Sequence, residues 1–135
     1  MALLTWNNIL TVNINRFDQE HKKLIDLINK LHEAMKVGKG KDVLAGVLKS
    51  LIDYTAQHFA SEEALMRLHK YPDYESHKKE HNKLVTEVLD LQKQLNEGKA
   101  VLTQAVMEFL CQWVQKHIKD SDKRYGPFLT GKGVV

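Results

Sequence analysis

The sequence predicts an all-α protein: an antiparallel up-down-up-down four-helix bundle with a short N-terminal arm. Three observations carry this. Apolar residues recur at steps of three and four through four successive segments, the mark of one buried helix face. The 135 residues include only two prolines and seven glycines, too few breakers for an all-β fold or for disorder. The connections between segments are short, which forces consecutive helices to run antiparallel. With 43% hydrophobic and 27% charged residues, residues 1–135 suit one soluble domain with its own core.

The arm, 1–15, is too short and polar for a second domain, and Trp6, Ile9 and Val12 are expected to pin it to the bundle. The first helix, about 16–37, carries the stripe Phe17, His21, Leu24, Ile28, Leu31 and Met35, with Asn15 as its cap and Gly38 or Gly40 as its stop. The second, about 41–69, carries Leu44, Leu48, Leu51, Thr55, His58, Glu62 and Leu65 and ends before Tyr71-Pro72. The third, about 73–97, carries Tyr74, His77, His81, Leu84, Val88, Leu91 and Leu95, between an Asp73 cap and Gly98. The fourth, about 100–124, carries Leu102, Val106, Phe109, Trp113 and His117 and is expected to stop by Gly126-Pro127. Residues 129–135, with two glycines, read as a loose tail.

Composition excludes several function classes. Twenty Lys and Arg against 17 Asp and Glu leave a net charge of only +3, spread along the chain. That is a mixed solvated surface and not a nucleic-acid footprint. No apolar run approaches the ~20 residues of a membrane span, and residues 1–15 lack the pattern of a secretory signal. The lone cysteine, Cys111, excludes an intrachain disulfide framework and suits the cytoplasm. It reads as a small buried residue.

Seven histidines are the compositional oddity, and their places matter more than their number. His21, His58, His77, His81 and His117, together with Glu62, fall in slots where leucine is expected. Buried without partners, they would cost several kcal/mol in total. A metal satisfies them all, because neutral imidazole nitrogens and carboxylate oxygens are its ligands. His58/Glu62 and His77/His81 are i,i+4 pairs, so each pair projects from one helix face. His21 lies early in the first helix, His58 and Glu62 late in the second, His77 and His81 early in the third, and His117 late in the fourth. In an up-down bundle these are the same end. Five imidazoles exceed what one metal takes, so two metals with bridging anions are expected. His32 and His69 have no partner at that level and read as ordinary residues. A last carboxylate is left open on geometry. Asp120, at i+3 from His117, continues the stripe, whereas Asp122, at i+5, lies about 140° away on an ideal helix unless the turn is tightened or widened.

At this point the order Phe17-Asp18-Gln19-Glu20-His21, His58-Phe59-x-x-Glu62-Glu63, His77-x-x-x-His81 and His117-Ile118-x-x-x-Asp122 resembles the hemerythrin family, in its stand-alone bacterial form. The likeness runs from Trp6 to about Leu129. It implies a non-haem di-iron centre that binds O2 reversibly. His77, His81 and His117 would hold one iron and His21 and His58 the other. Glu62 and Asp122 would bridge both, together with an oxo or hydroxo group. The resemblance thus selects Asp122 over Asp120. It implies a closed, six-coordinate first iron and a five-coordinate second iron with an open position for O2. Phe59, Trp113 and Ile118 would line the O2 pocket. Glu20 stands where the family pattern often has glutamine, and Asn13 where it often has glycine.

The expected function is O2 carriage, storage or delivery, without enzymatic activity, by a monomer. An oxygen-consuming enzyme is the partner under the delivery reading. No nucleic acid and no membrane insertion are expected. Two rivals use the same centre: a di-iron redox enzyme with oxidase, peroxidase or nitric-oxide chemistry, and an O2 or redox sensor acting through a separate partner. The absence of Glu-x-x-His pairs and the shortage of anionic ligands weigh against oxygen activation.

Overall fold

A computed structural model describes residues 4–37, 41–98 and 104–135. They form a 3₁₀ turn, Asn8–Leu10, and the helices α1 (Asn15–Lys36), α2 (Lys41–Leu68), α3 (Tyr74–Asn96), α4 (Gln104–Lys116) and α5 (Lys123–Thr130). A π-helical turn, His117–Asp122, joins α4 to α5 without a break in the helix. The described residues contain no strand. α1 packs on α2, α2 on α3, and α1 on α4, so the chain closes into a bundle around one apolar core.

The α1 and α3 stripes are buried as the periodicity implies, from Phe17 to Leu31 and from His77 to Leu95. The fourth stripe is displaced. Met107, Leu110, Cys111, Val114 and His117 face the core, while Phe109 is 42% exposed, and Leu102 lies outside the described residues. The buried face is set by Met107, Leu110 and Val114, each one residue beyond Val106, Phe109 and Trp113, and rejoins the expected stripe at His117; the apolar residues are dense enough that the pattern alone does not choose between the two phases.

Three ends differ from the expectation. Neither Asn15 nor Asp73 caps through its side chain; α1 begins at Asn15, and Asp18 instead accepts from the Thr11 hydroxyl and, at 2.9 Å, the Val12 amide. Gly38 and Gly40 lie outside the described residues. The last helix does not stop at Gly126-Pro127 but runs to Thr130 with Pro127 inside it. A proline inside a helix costs about 3 kcal/mol. Tyr125 and Leu129, both fully buried, offset that, at about 1.5–3 kcal/mol for each large side chain. Leu129 is therefore core and not loose tail. The chain beyond it turns back, with the Lys132 and Val134 amides donating to the Leu129 carbonyl and Gly133 at φ 91°.

The arm is held by Leu4, Leu10, Val12 and Ile14, all buried, whereas Ile9 is exposed. Asn29 bonds both backbone groups of Leu4, and the Lys22 ammonium sits over the ring of Trp6. Where the arm crosses α5, a Cβ on Gly126 would lie 2.7 Å from the Val12 carbonyl oxygen. Only a glycine lets the two backbones approach so closely.

Candidate metal centre

His21 comes from α1, His58 and Glu62 from α2, His77 and His81 from α3, and His117 and Asp122 from the two ends of the π-turn. All seven are buried, with at most 4% of each residue exposed. His32 is buried on a different part of α1, and His69 follows α2; neither joins the cluster.

The π-turn explains the last carboxylate. The Lys123 amide donates to the Ile118 carbonyl, five residues back, so the turn holds an extra residue. The residue at i+5 from His117 is thereby brought round to the same side. Asp122 is 1% exposed and points inward, while Asp120 is exposed.

The two carboxylates divide their oxygens. Asp122 Oδ1 lies 3.0 Å from His77 Nε2 and 3.1 Å from His117 Nε2. Glu62 Oε1 lies 3.6 Å from His77 Nε2 and 3.3 Å from His81 Nε2. Their other oxygens face the remaining pair. Asp122 Oδ2 is 3.0 Å from His21 Nε2, and Glu62 Oε2 is 3.2 Å from both His21 and His58 Nε2. One set is thus three histidines with one oxygen of each acid; the other is two histidines with the opposite oxygens. Within each set the ligand atoms lie within 4.8 Å of one another. Hydrogen bonds leave His77 Nε2, Glu62 Oε1 and both Asp122 oxygens unsatisfied although buried. Two cations sharing two bridging carboxylates would satisfy them, and the donor set of imidazole and carboxylate suits iron.

Three further carboxylates, Glu20, Glu63 and Glu80, hold the histidines from outside. Glu20 Oε1 meets His58 Nδ1 at 2.5 Å, Glu63 Oε2 meets His81 Nδ1 at 2.9 Å, and Glu80 Oε1 meets His117 Nδ1 at 3.0 Å. A carboxylate only accepts, so each Nδ1 carries the hydrogen and each Nε2 offers its lone pair inward. The Tyr125 hydroxyl donates to Glu62 Oε2 and holds that carboxylate in place. Sequence reasoning missed these partners, though a signal existed. Each acid sits next to one cluster residue in the chain (Glu20–His21, Glu62–Glu63, Glu80–His81) and bonds a histidine on a different helix. Tyr125 gave no such signal, since its place depends on α5 continuing past the π-turn.

Protons are the alternative occupant of such a cluster. Burial opposes charge on His58, but Glu62 and Glu20 outweigh it and lift the ring to about 10. Burial likewise opposes charge on His117 and His77, which Asp122 and their other carboxylate partners raise to about 10 and about 9. Burial pushes Glu62 and Asp122 upward, and the histidines beside them hold both well below the usual range.

A cavity of about 30 Å³ adjoins the centre. His21, His58, His117 and Asp122 line it; His77 and His81 do not. It therefore meets both histidines of the two-histidine set and only one of the other three. Phe59, Trp113 and Ile118 are all in its wall, with Leu24, Leu51 and Val114 beyond them. Phe59 stacks on the His81 ring at 3.6 Å, and Trp113 stacks on His117 at 4.5 Å.

Bundle and site together define a class: a helical protein that carries a dinuclear, histidine-rich metal centre beside a small apolar cavity. A family model described as hemerythrin HHE cation binding domain matches residues 12–129. A bacteriohemerythrin of Methylococcus capsulatus is 40% identical over 131 residues, covering 96% of this chain and 99% of that one. A bacteriohemerythrin of Pseudomonas aeruginosa is 34% identical over 125 residues, covering 93% and 80%. A crystal structure of wild-type hemerythrin superposes with a TM-score of 0.91 at 39% identity, covering 96% of this chain and 99% of that one. The chain belongs to the hemerythrin family, and its function is O2 binding at a non-haem di-iron centre.

Proposed function

We propose that His77, His81 and His117 hold one iron, that His21 and His58 hold the other, and that Glu62 and Asp122 bridge the pair. The division of carboxylate oxygens between the two histidine sets supports this assignment. When bound, the irons supply the electrons and the open coordination position that O2 binding needs. The protein's own residues do the rest. Glu20, Glu63 and Glu80 keep the imidazoles aimed, Tyr125 steadies Glu62, and Phe59, Trp113 and Ile118 wall the cavity against water. An apolar wall slows the hydration and proton delivery that would drive irreversible oxidation.

The cavity is the observation that supports binding of a small gas at the centre. A water needs about 10–15 Å³ on this scale, so 30 Å³ is room for a diatomic molecule. O2 is taken up, held and released, and an oxygen-consuming enzyme is the natural recipient. Exposed large apolar side chains such as Leu68, Leu89 and Phe109 lie on different elements, which suits a monomer. No described helix is long and apolar enough to cross a membrane. Cytoplasmic residence suits the buried free thiol of Cys111.

The test is an oxygenation cycle. The iron-loaded, reduced protein is exposed to O2 and then to vacuum, while the visible spectrum and any consumption of added reductant are followed. Colour that appears and then disappears, with O2 recovered unchanged, is the expected result. Steady consumption of reductant by the oxygenated protein would transfer the assignment to the enzymatic rival.

A further inference from the structure

Two consecutive buried residues of the π-turn have different partners. Asp122 lies against His21, His77 and His117. The Ser121 hydroxyl donates instead to Glu80, 2.7 Å from Oε1 and 2.9 Å from Oε2. The same Oε1 accepts from His117 Nδ1. One carboxylate on α3 therefore grips the first residue of the turn and its fifth. Glu20 and Glu63 differ, for each meets a single histidine of the cluster. A π-turn is rare and is found mostly as a single turn inside an α-helix, frequently at a functional site. Glu80 ties two residues of this turn from outside it, one of them next to Asp122.

We propose that Glu80 is a positioning residue that aims the Asp122 carboxylate at the metal pair, acting through Ser121 as well as through His117. The inference rests on the ligand assignment above. Ser121 is what makes it specific: it hydrogen-bonds none of the seven cluster residues, yet its loss should be felt at the metals.

The test is anaerobic Fe(II) affinity, measured by competition with a chromophoric chelator, together with the visible spectrum of the diferric protein. Four variants are compared with the parent: Ser121→Ala, Glu80→Ala, the double variant and Glu80→Gln. Loss of an outer-shell partner costs about 10–100-fold in metal affinity. Glu80→Ala should fall in that range and Ser121→Ala near its lower end, with the diferric spectrum altered in both. The double variant should match Glu80→Ala within about twofold, because one carboxylate carries both effects. Glu80→Gln keeps an acceptor oxygen and should recover most of the affinity. Ser121→Ala with parental affinity and spectrum would overturn the proposal, as would fully multiplicative losses in the double variant. A parent that takes up fewer than two irons would instead overturn the ligand assignment, and this inference with it.

Discussion

At the scale of single residues, Asp122 and Asp120 separate the two ways of reading the last helix. On an unbroken α-helix Asp120 continues the His117 stripe; the π-turn brings in Asp122. Asp122→Asn should therefore cost more iron affinity than the about 10–100-fold typical of an outer partner. Asp120→Asn, at an exposed side chain, should stay within about twofold. Fe(II) titration of the two variants side by side checks this.

The same residues set a pH dependence for the protein without metal. His58, His77 and His117 have pKa values raised above 6.5, so their contribution to stability is complete below 6.5 and is lost as pH climbs through about 9 to 10. Glu62 is held below its ordinary 4.5 and Asp122 below 3.8, so their contribution is complete above those values and fades on acidification. Metal-free protein should be most stable between about pH 4.5 and 6.5, and urea midpoints from pH 3 to 10 would show a maximum there. Metal binding displaces the same protons, so Fe(II) affinity should rise with pH across the range in which apo stability falls.

At the scale of elements, legibility followed periodicity. His21, His58, Glu62, His77 and His81 sit on regular α-helices, where steps of three and four report the buried face faithfully. The fourth segment was less legible for two physical reasons. Its apolar residues are dense enough to allow two phases, and a π-turn shifts every later residue by one position. Spacing therefore favoured Asp120, and only the likeness to a known motif pointed to Asp122. In the arm, Val12 is buried and Trp6 packs on the core as expected, whereas Ile9 is exposed and Leu4, Leu10 and Ile14 are the further anchors. Nothing in a linear pattern marks where two backbones touch, as Gly126 and Val12 do. Gly126→Ala should destabilise the fold by about 1–3 kcal/mol, the usual cost of forcing atoms into a filled place. Chemical denaturation of the metal-free protein measures it. An unchanged midpoint would mean that the arm is free to shift.

At the scale of the whole molecule, the bundle serves to bring residues from four helices to one level at one end. The other end is packed with leucine, isoleucine and valine. The cavity lies between the two, walled by Leu24, Leu51, Val88 and Leu110 as well as by the histidines. This apolar wall meets the centre at His21, His58 and His117. The fold thus supplies both the ligands and the dry approach to them, and the sequence shows the first far more plainly than the second.

Anomalous scattering at the iron edge, from crystals of the iron-loaded protein, locates the metals. Two peaks are expected, one against His77, His81 and His117 and one against His21 and His58, each within bonding distance of Glu62 and Asp122. A single peak, or iron bound anywhere else, would contradict the ligand assignment.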